Sequence, residues 1–518
     1  ADMREMDYYL DDSQVCGEIP KELRSSTFLQ NGPGLFQAHG RPVSNPVDGD
    51  GMICSLAFSE HSIFFRSRFV KTPQTGQAGA SAFEKPQISG IEWPFGLKLP
   101  KEIPLPANLS SKNPANQGLI TFGRRVLALH EGAPPLLLDG STLDTLSDMQ
   151  ALRSTVEGPL APRYRTMTDT DGNKMYVAFG VSPSGPDAVA TIYEFGHNSE
   201  LRRKKQVHLP RAANGFIHDI AVTENFYVLV EHPCEVDIEK VLTHHLLGRA
   251  SAAECMFLNK ERQTKIHVIP RGEAVSAGDE IRALRPVQTL LTSPIMALQH
   301  INAYELDGGN RIILDTNLWS EFDFGFNIGV ATVESLSQSP APVVARLDIN
   351  LVTTEVQGRI LSARPCCFSC LHPAMTGQPY EASFLAVSSI DGMAGPPQAL
   401  MRLTTDPLQG SSCSVGSVLW EPGPGKFVGP PTFVPHDPSD PGAGGWLLTM
   451  VFDARSRTSS LAIIDGQRLA AGPVATVNFL HHVPHGLQSV FSQGTYLGPA
   501  KTAPKGWTPA LHPSTGIQ

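Results

Sequence analysis

Charge is scarce in this chain: Asp, Glu, Lys and Arg make up 18% of 518 residues, and the formal net charge is -9. No long basic run occurs, so the electrostatic footprint demanded by a phosphate backbone is missing. The adjacent bases from Arg202 to Lys205 read as a solvated face, and nucleic acid is not an expected partner. Long apolar runs are missing too. Nothing approaches the roughly 18–20 residues of a spanning helix, so the chain does not read as an integral membrane protein. The opening ADMREMDYYLDD is acidic, unlike a basic-then-apolar export signal. Cysteine is sparse, with eight residues in the whole chain, which excludes a disulfide scaffold and suggests reduced thiols in a reducing compartment. Helical signals are few. SAAECMFLNKER from Ser251 and VDIEKVLTHHLL from Val236 are expected as helical insertions. No strict short repeat appears.

What is abundant is punctuation. Forty-six Gly and 43 Pro separate short β-type runs. These include SIFFRSRFV, KMYVAFGV, FYVLVEH, KIHVIP, RIILDT, GWLLTMVFD and SLAIID. Short strands divided by turns indicate an all-β architecture rather than βαβ units, and 41% hydrophobic content suffices for a sizeable core. Stretches at 71–90, 181–188, 405–415 and 421–445 are rich in Gly, Pro and Ser and read as long surface loops rather than domain boundaries. One domain over 1–518 is expected, with its core at about 17–500.

From Gly17, GEIPKELRSSTFLQNGPGLF resembles the opening of the carotenoid cleavage oxygenases. PVDGDGMICSLAF follows, close to that family's Asp-Gly-Asp-Gly-Met signature. LALHEGAPPLLLDGSTLDT, FIHDIAVTENFYVLVEHP, HINAYE, PTFVP, GGWLLTMVFD, SLAIIDGQ and PVATVNFLHHVPHG then resemble family blocks in order. Collinearity over nearly the whole chain carries the identification. The resemblance implies a seven-bladed β-propeller capped by a dome of loops and short helices. It also implies four histidines, on four inner strands, holding a non-haem ferrous ion for cleavage of a polyene double bond, with carboxylates fixing each ring's tautomer.

This sequence departs from that pattern. His218, in FIHDIAVTEN, occupies the second ligand position, and Glu131 matches a family glutamate that orients a ligand. At the first position LAPRYRTMTDTDG supplies Arg163, or Tyr164 under a one-residue shift. At the third, ALQHINAYE supplies Gln299, with His300 one residue later; adjacent strand residues face opposite ways, so His300 substitutes only across a bulge. At the fourth, VPHGLQS supplies Leu487 and Gln488, while His481, His482 and His485 lie upstream. The family's Glu-Pro pair before Phe-Val-Pro is replaced by Pro430-Pro431, and residues 354–365 hold no counterpart of its Glu-Phe-Pro segment.

The expectation is a degenerate member, a pseudoenzyme with no catalytic residue assigned and no cofactor, which binds a carotenoid or other long apolar molecule or serves as a structural subunit of a protein complex. The alternative is an active Fe2+-dependent dioxygenase cleaving carotenoid, apocarotenoid or stilbene-type double bonds, its site rebuilt by His300 and His485. By analogy with the closest-reading blocks a plastid (chloroplast) location is expected, cytoplasm being the alternative, with peripheral membrane contact permitted. PCCFSCLHP places Cys366, Cys367, Cys370 and His372 at roughly zinc-like spacing, but without a second half-site it reads as buried or loop thiols. NGPG at 31–34 and DGDG at 48–51 read as turns, and HGLQS lacks a nucleophile elbow, which excludes a serine hydrolase.

Overall fold

The computed structural model describes residues 4–35, 49–72, 113–146, 155–168, 172–210, 216–245, 253–272, 286–322 and 339–499, with short pieces at 37–38, 41–42 and 510–511. Its strands form seven antiparallel blades of a β-propeller. In chain order the first strands of the blades are Gln488–Ser492, which joins Ser26–Leu35 of blade one, then Gly118–Phe122, Arg165–Thr168, Ile220–Val222, Met296–Leu306, Cys366–Cys370 and Thr432–Pro435. The ends of the chain are exchanged. The late strand Gln488–Ser492 pairs with Ser26–Leu35, and the early strand Val15–Gly17 pairs with Pro473–Asn478 to complete blade seven.

The core is divided into seams. Strand residues alternate between two faces, and in a propeller each face meets a different neighbour. In Phe226–Glu231, Tyr227 and Leu229 enter the cluster shared with blade three, while Val228 and Val230 enter the one shared with blade five. The whole FYVLVE run is therefore buried, and apolar as far as Val230, instead of alternating. Seven such interblade clusters exist, and the one joining blades seven and one unites Phe28, Leu56 and Phe65 with Leu448, Leu461 and Val477. Seven seams for seven blades means a closed ring, since an open row would have six.

All seven β-type runs read from the sequence are strands. Four readings are corrected. The segment from Ser251 is described from residue 253, and beyond the short turn Ala253–Cys255 it continues as strand Met256–Leu258. That strand finds a ready partner in Cys234–Val236, which outweighs a short helical preference. The second helical signal keeps one turn, Ile238–Lys240, capped by Asp237, followed by the π-type turn Val241–His245. Stretch 181–188 is a hairpin within blade three, and 421–445 contains two strands, Lys426–Val428 and Thr432–Pro435. Most of stretch 71–90, and Asp48 of the DGDG turn, lie outside the described residues. No helix among the described residues is long and apolar enough to cross a membrane.

Candidate functional site

The first strands converge on one axial cavity of about 210 Å³. Its wall takes residues from six blades, among them Arg163, Asp219, Gln299, Phe368, Phe433 and Gln488. The remaining blade, the second, reaches the site through Leu119, whose backbone N–H donates to Gln488 Oε1 at 2.6 Å. Three of the four positions singled out by the resemblance, Arg163, Gln299 and Gln488, therefore share one cavity.

The fourth, His218, is turned to Glu131. Its Nδ1 stands 2.9 Å from each carboxylate oxygen, and its ring stacks on Phe216 at 5.7 Å. A carboxylate accepting Nδ1–H leaves Nε2 with the lone pair, the tautomer of a metal-binding imidazole. This is the pairing implied for Glu131.

Asp219, the next residue, is a buried hub. Its Oδ2 accepts from Arg165 at 2.8 Å and from the His300 backbone N–H at 2.7 Å, and its Oδ1 accepts from the Ile220 N–H. Arg165 also donates to the His300 carbonyl at 2.9 Å. Although burial opposes it, Arg165 together with His300 and Arg163 holds the Asp219 carboxyl below its usual range. Blades three, four and five are tied at this point. The hub was not foreseen from the sequence, where its signals are the Asp beside His218 and the Arg that opens the strand Arg165–Thr168.

At the third position the strand is bulged on both sides of Gln299 and His300. The bulges let both residues reach the cavity wall, the condition under which His300 was expected to share a face with Gln299. His300 is nonetheless committed elsewhere. Its Nδ1 bonds Thr316 Oγ1 at 3.0 Å, its Nε2 is buried without a partner, and burial drives it down to about 4. The Gln299 carbonyl oxygen accepts the Phe368 N–H at 2.7 Å and Asn317 at 3.3 Å. Phe368 has φ 48, a strained left-handed conformation at a bulge in the Cys366–Cys370 strand. Gln299 thus secures the neighbouring blade's backbone.

Arg163 stands opposite. Burial pulls its guanidinium below its usual value, with Asp219 as the main opposing charge. Its surface is half-buried because it opens on the cavity rather than on bulk solvent. Tyr164, the one-residue alternative, packs against Tyr176.

The other candidates do not gather here. His481 bonds Tyr8 and packs on Phe65 in the seam between blades seven and one. His485 and His482 are not on the cavity wall. Cys366 enters the seam between blades five and six and Cys370 the next one, while Cys367 feels Arg163, so alternation and the bulge disperse the cysteines. His372 caps the turn at Ala374. Pro430 offers its carbonyl to Ser489, and residues 356–362 form the outermost strand of blade five.

Ferrous iron in this family's site requires neutral imidazoles with open positions. One imidazole is present with its orienting carboxylate; the other three positions hold a guanidinium and two amide oxygens already accepting backbone N–H bonds. Among the described residues no three His, Cys, Asp or Glu side chains are grouped to hold a metal. This donor set does not fit a ferrous centre.

The comparisons agree with the fold. Residues 3–493 match the family model described as Retinal pigment epithelial membrane protein. Similar proteins include the apocarotenoid-15,15'-oxygenase of Synechocystis sp., 28% identical and covering 95% of this chain and 94% of that protein. An isoeugenol monooxygenase of Pseudomonas putida is 26% identical, covering 90% and 91%. Among solved structures, a variant of the Synechocystis apocarotenoid oxygenase matches with TM-score 0.78 at 26% identity, covering 95% and 96%. The cobalt-substituted form of that enzyme matches with TM-score 0.77 at 27% identity over the same shares. Seven blades, the His218–Glu131 pair and a family match over nearly all of its length together establish that this chain belongs to the Retinal pigment epithelial membrane protein family, the carotenoid cleavage oxygenases.

Proposed function

We propose that this chain is a carotenoid-oxygenase-family protein that no longer holds catalytic iron and is retained to bind a carotenoid or another long apolar molecule, alone or as a subunit of a larger complex. One observation carries the reading. Where the family places three further imidazoles, Arg163 presents a cation and Gln299 and Gln488 present carbonyl oxygens engaged by Phe368 and Leu119. A guanidinium keeps its proton at any working pH and repels a divalent ion. The ligand class is supported by relatives named for apocarotenoid and β,β-carotene oxygenation.

A second reading, an iron-dependent dioxygenase, is favoured by the intact His218–Glu131 pair. Metal analysis of the purified chain, combined with oxygen-dependent polyene cleavage, separates the two. The expected result is substoichiometric iron and no cleavage, with iron uptake gained on combining Arg163→His, Gln299→His and Gln488→His. Stoichiometric iron with cleavage by the unaltered chain overturns the proposal.

A further inference from the structure

Hydrogen-bond donors outnumber acceptors on the wall of the axial cavity: Thr316 gives its hydroxyl proton to a carbonyl and so accepts from His300 Nδ1, which leaves His300 Nε2 as a single neutral acceptor without a partner among the described residues. Among the described residues the Arg163 guanidinium has no ion-pair or hydrogen-bond partner; its Nε is buried and unsatisfied, and its charge lies 6.0 Å from the Phe368 ring. The acids whose charge reaches it are spoken for. Asp219 is filled by Arg165, His300 and Ile220, and both Glu131 oxygens face His218.

The carboxamides add to the surplus. A backbone N–H can only donate, so the bonds from Phe368 and Leu119 identify the oxygen end of Gln299 and of Gln488. Both NH2 groups are left to donate, and neither has an acceptor among the described residues. The hydroxyls cancel: Ser489 gives its proton to the Pro430 carbonyl and so accepts from Thr432. An unmatched buried cation is costly, and a guanidinium cannot escape by losing its proton. A bound acceptor carrying negative charge would satisfy all three donors. Leu371, Phe433, Pro431 and Leu487 complete the wall with apolar surface.

We infer that Arg163, with the NH2 groups of Gln299 and Gln488, receives a carboxylate at the end of an apolar molecule. The planar guanidinium and the two-oxygen head group are matched in geometry. The inference rests on the reading above, in which the ligand is long and apolar and no iron occupies the axis.

The test titrates the full chain with all-trans-retinoic acid and all-trans-retinol, which share a polyene and differ in the head group, followed by quenching of tryptophan fluorescence. The acid is expected to bind about tenfold tighter or better, the range of a charge-assisted hydrogen bond. Arg163→Met should abolish that preference, the acid losing affinity until it binds no better than retinol. It should also raise the Tm of the unliganded chain, whereas a merely structural Arg163 predicts a fall. Gln488→Glu keeps the acceptor for Leu119 while supplying the counter-charge internally, so it too should lose the preference, which keeps the test alive if Arg163→Met does not fold. Equal affinities in the unaltered chain, or a preference surviving both substitutions, overturn the carboxylate and leave the apolar-ligand reading standing. Binding of neither probe overturns both.

Discussion

His232 and His300 are the buried imidazoles on which acid should act first. His232 donates from Nδ1 to the Phe216 carbonyl and accepts the Ala297 N–H at Nε2, so it is locked as the neutral ring, and burial pushes it down to about 3. Burial likewise takes His300 to about 4. In the unfolded chain both return to about 6.5. As pH falls below 6.5 the unfolded state takes up protons that the folded state refuses, so stability is complete above that value and drains away toward about pH 4. The expected slope is about 1.4 kcal/mol per pH unit for each histidine. The lowered carboxyl of Asp219 adds its own loss only below its ordinary range, outside this window. Denaturant unfolding at pH 7, 6 and 5 should show proton uptake on unfolding that includes one proton from each of these two rings, beside that of His372, His481 and His485, which burial also lowers, and His300→Gln should remove one. An unchanged slope in that variant would contradict the assignment.

Between elements, the strongest polar tie joins blades five and six. Arg346 on Val343–Asn350 lies directly across from Asp315 on Arg311–Trp319, both with fully buried side chains, in a two-pronged contact at 2.7 and 2.8 Å. Its remaining N–H groups reach Thr405 and the Gly410 carbonyl of blade six, and Tyr380 donates to the same carboxylate at 2.7 Å. Removing one partner strands the other charge in a dry seam. Arg346→Met is therefore expected to lower unfolding free energy by about 3–5 kcal/mol, and adding Asp315→Leu should restore part of the loss, measured by denaturant titration. Such ties were not legible in the sequence, because cross-strand register cannot be read from a single run. The middle strands of the blades were legible since both of their faces meet apolar seams, as in Phe226–Val230. The axial strands were not. Arg165–Thr168, Ile220–Val222 and Thr432–Pro435 are only three or four residues long, and where one end faces a polar cavity the apolar run that marks a strand is cut short.

At the scale of the molecule, the propeller was legible through resemblance rather than periodicity, because the blades bury different residues in equivalent seams and differ in strand number. The site was legible as identities at four positions. It was not legible as chemistry, since what disables Gln299 and Gln488 as ligands is a bulged backbone N–H at Phe368 and the N–H of Leu119 from another blade. Ring closure was also hidden, and one of its pairings includes a tight backbone approach. Gly17 ends the strand that completes blade seven, with φ +82, and a Cβ there would stand 2.1 Å from the Val474 carbonyl oxygen. Gly17→Ala must both adopt a left-handed backbone and push that carbonyl away, for a cost of about 1–3 kcal/mol. Gly185 supplies the control. Its φ is +64 with nothing within 4 Å, so Gly185→Ala carries the backbone penalty alone, about 1 kcal/mol. The Tm of Gly17→Ala should fall further than that of Gly185→Ala, and amide exchange at Val477, which pairs with Val15, should quicken in the first variant and not in the second. Equal Tm losses with unchanged exchange at Val477 would show that blade seven is held shut without the N-terminal strand.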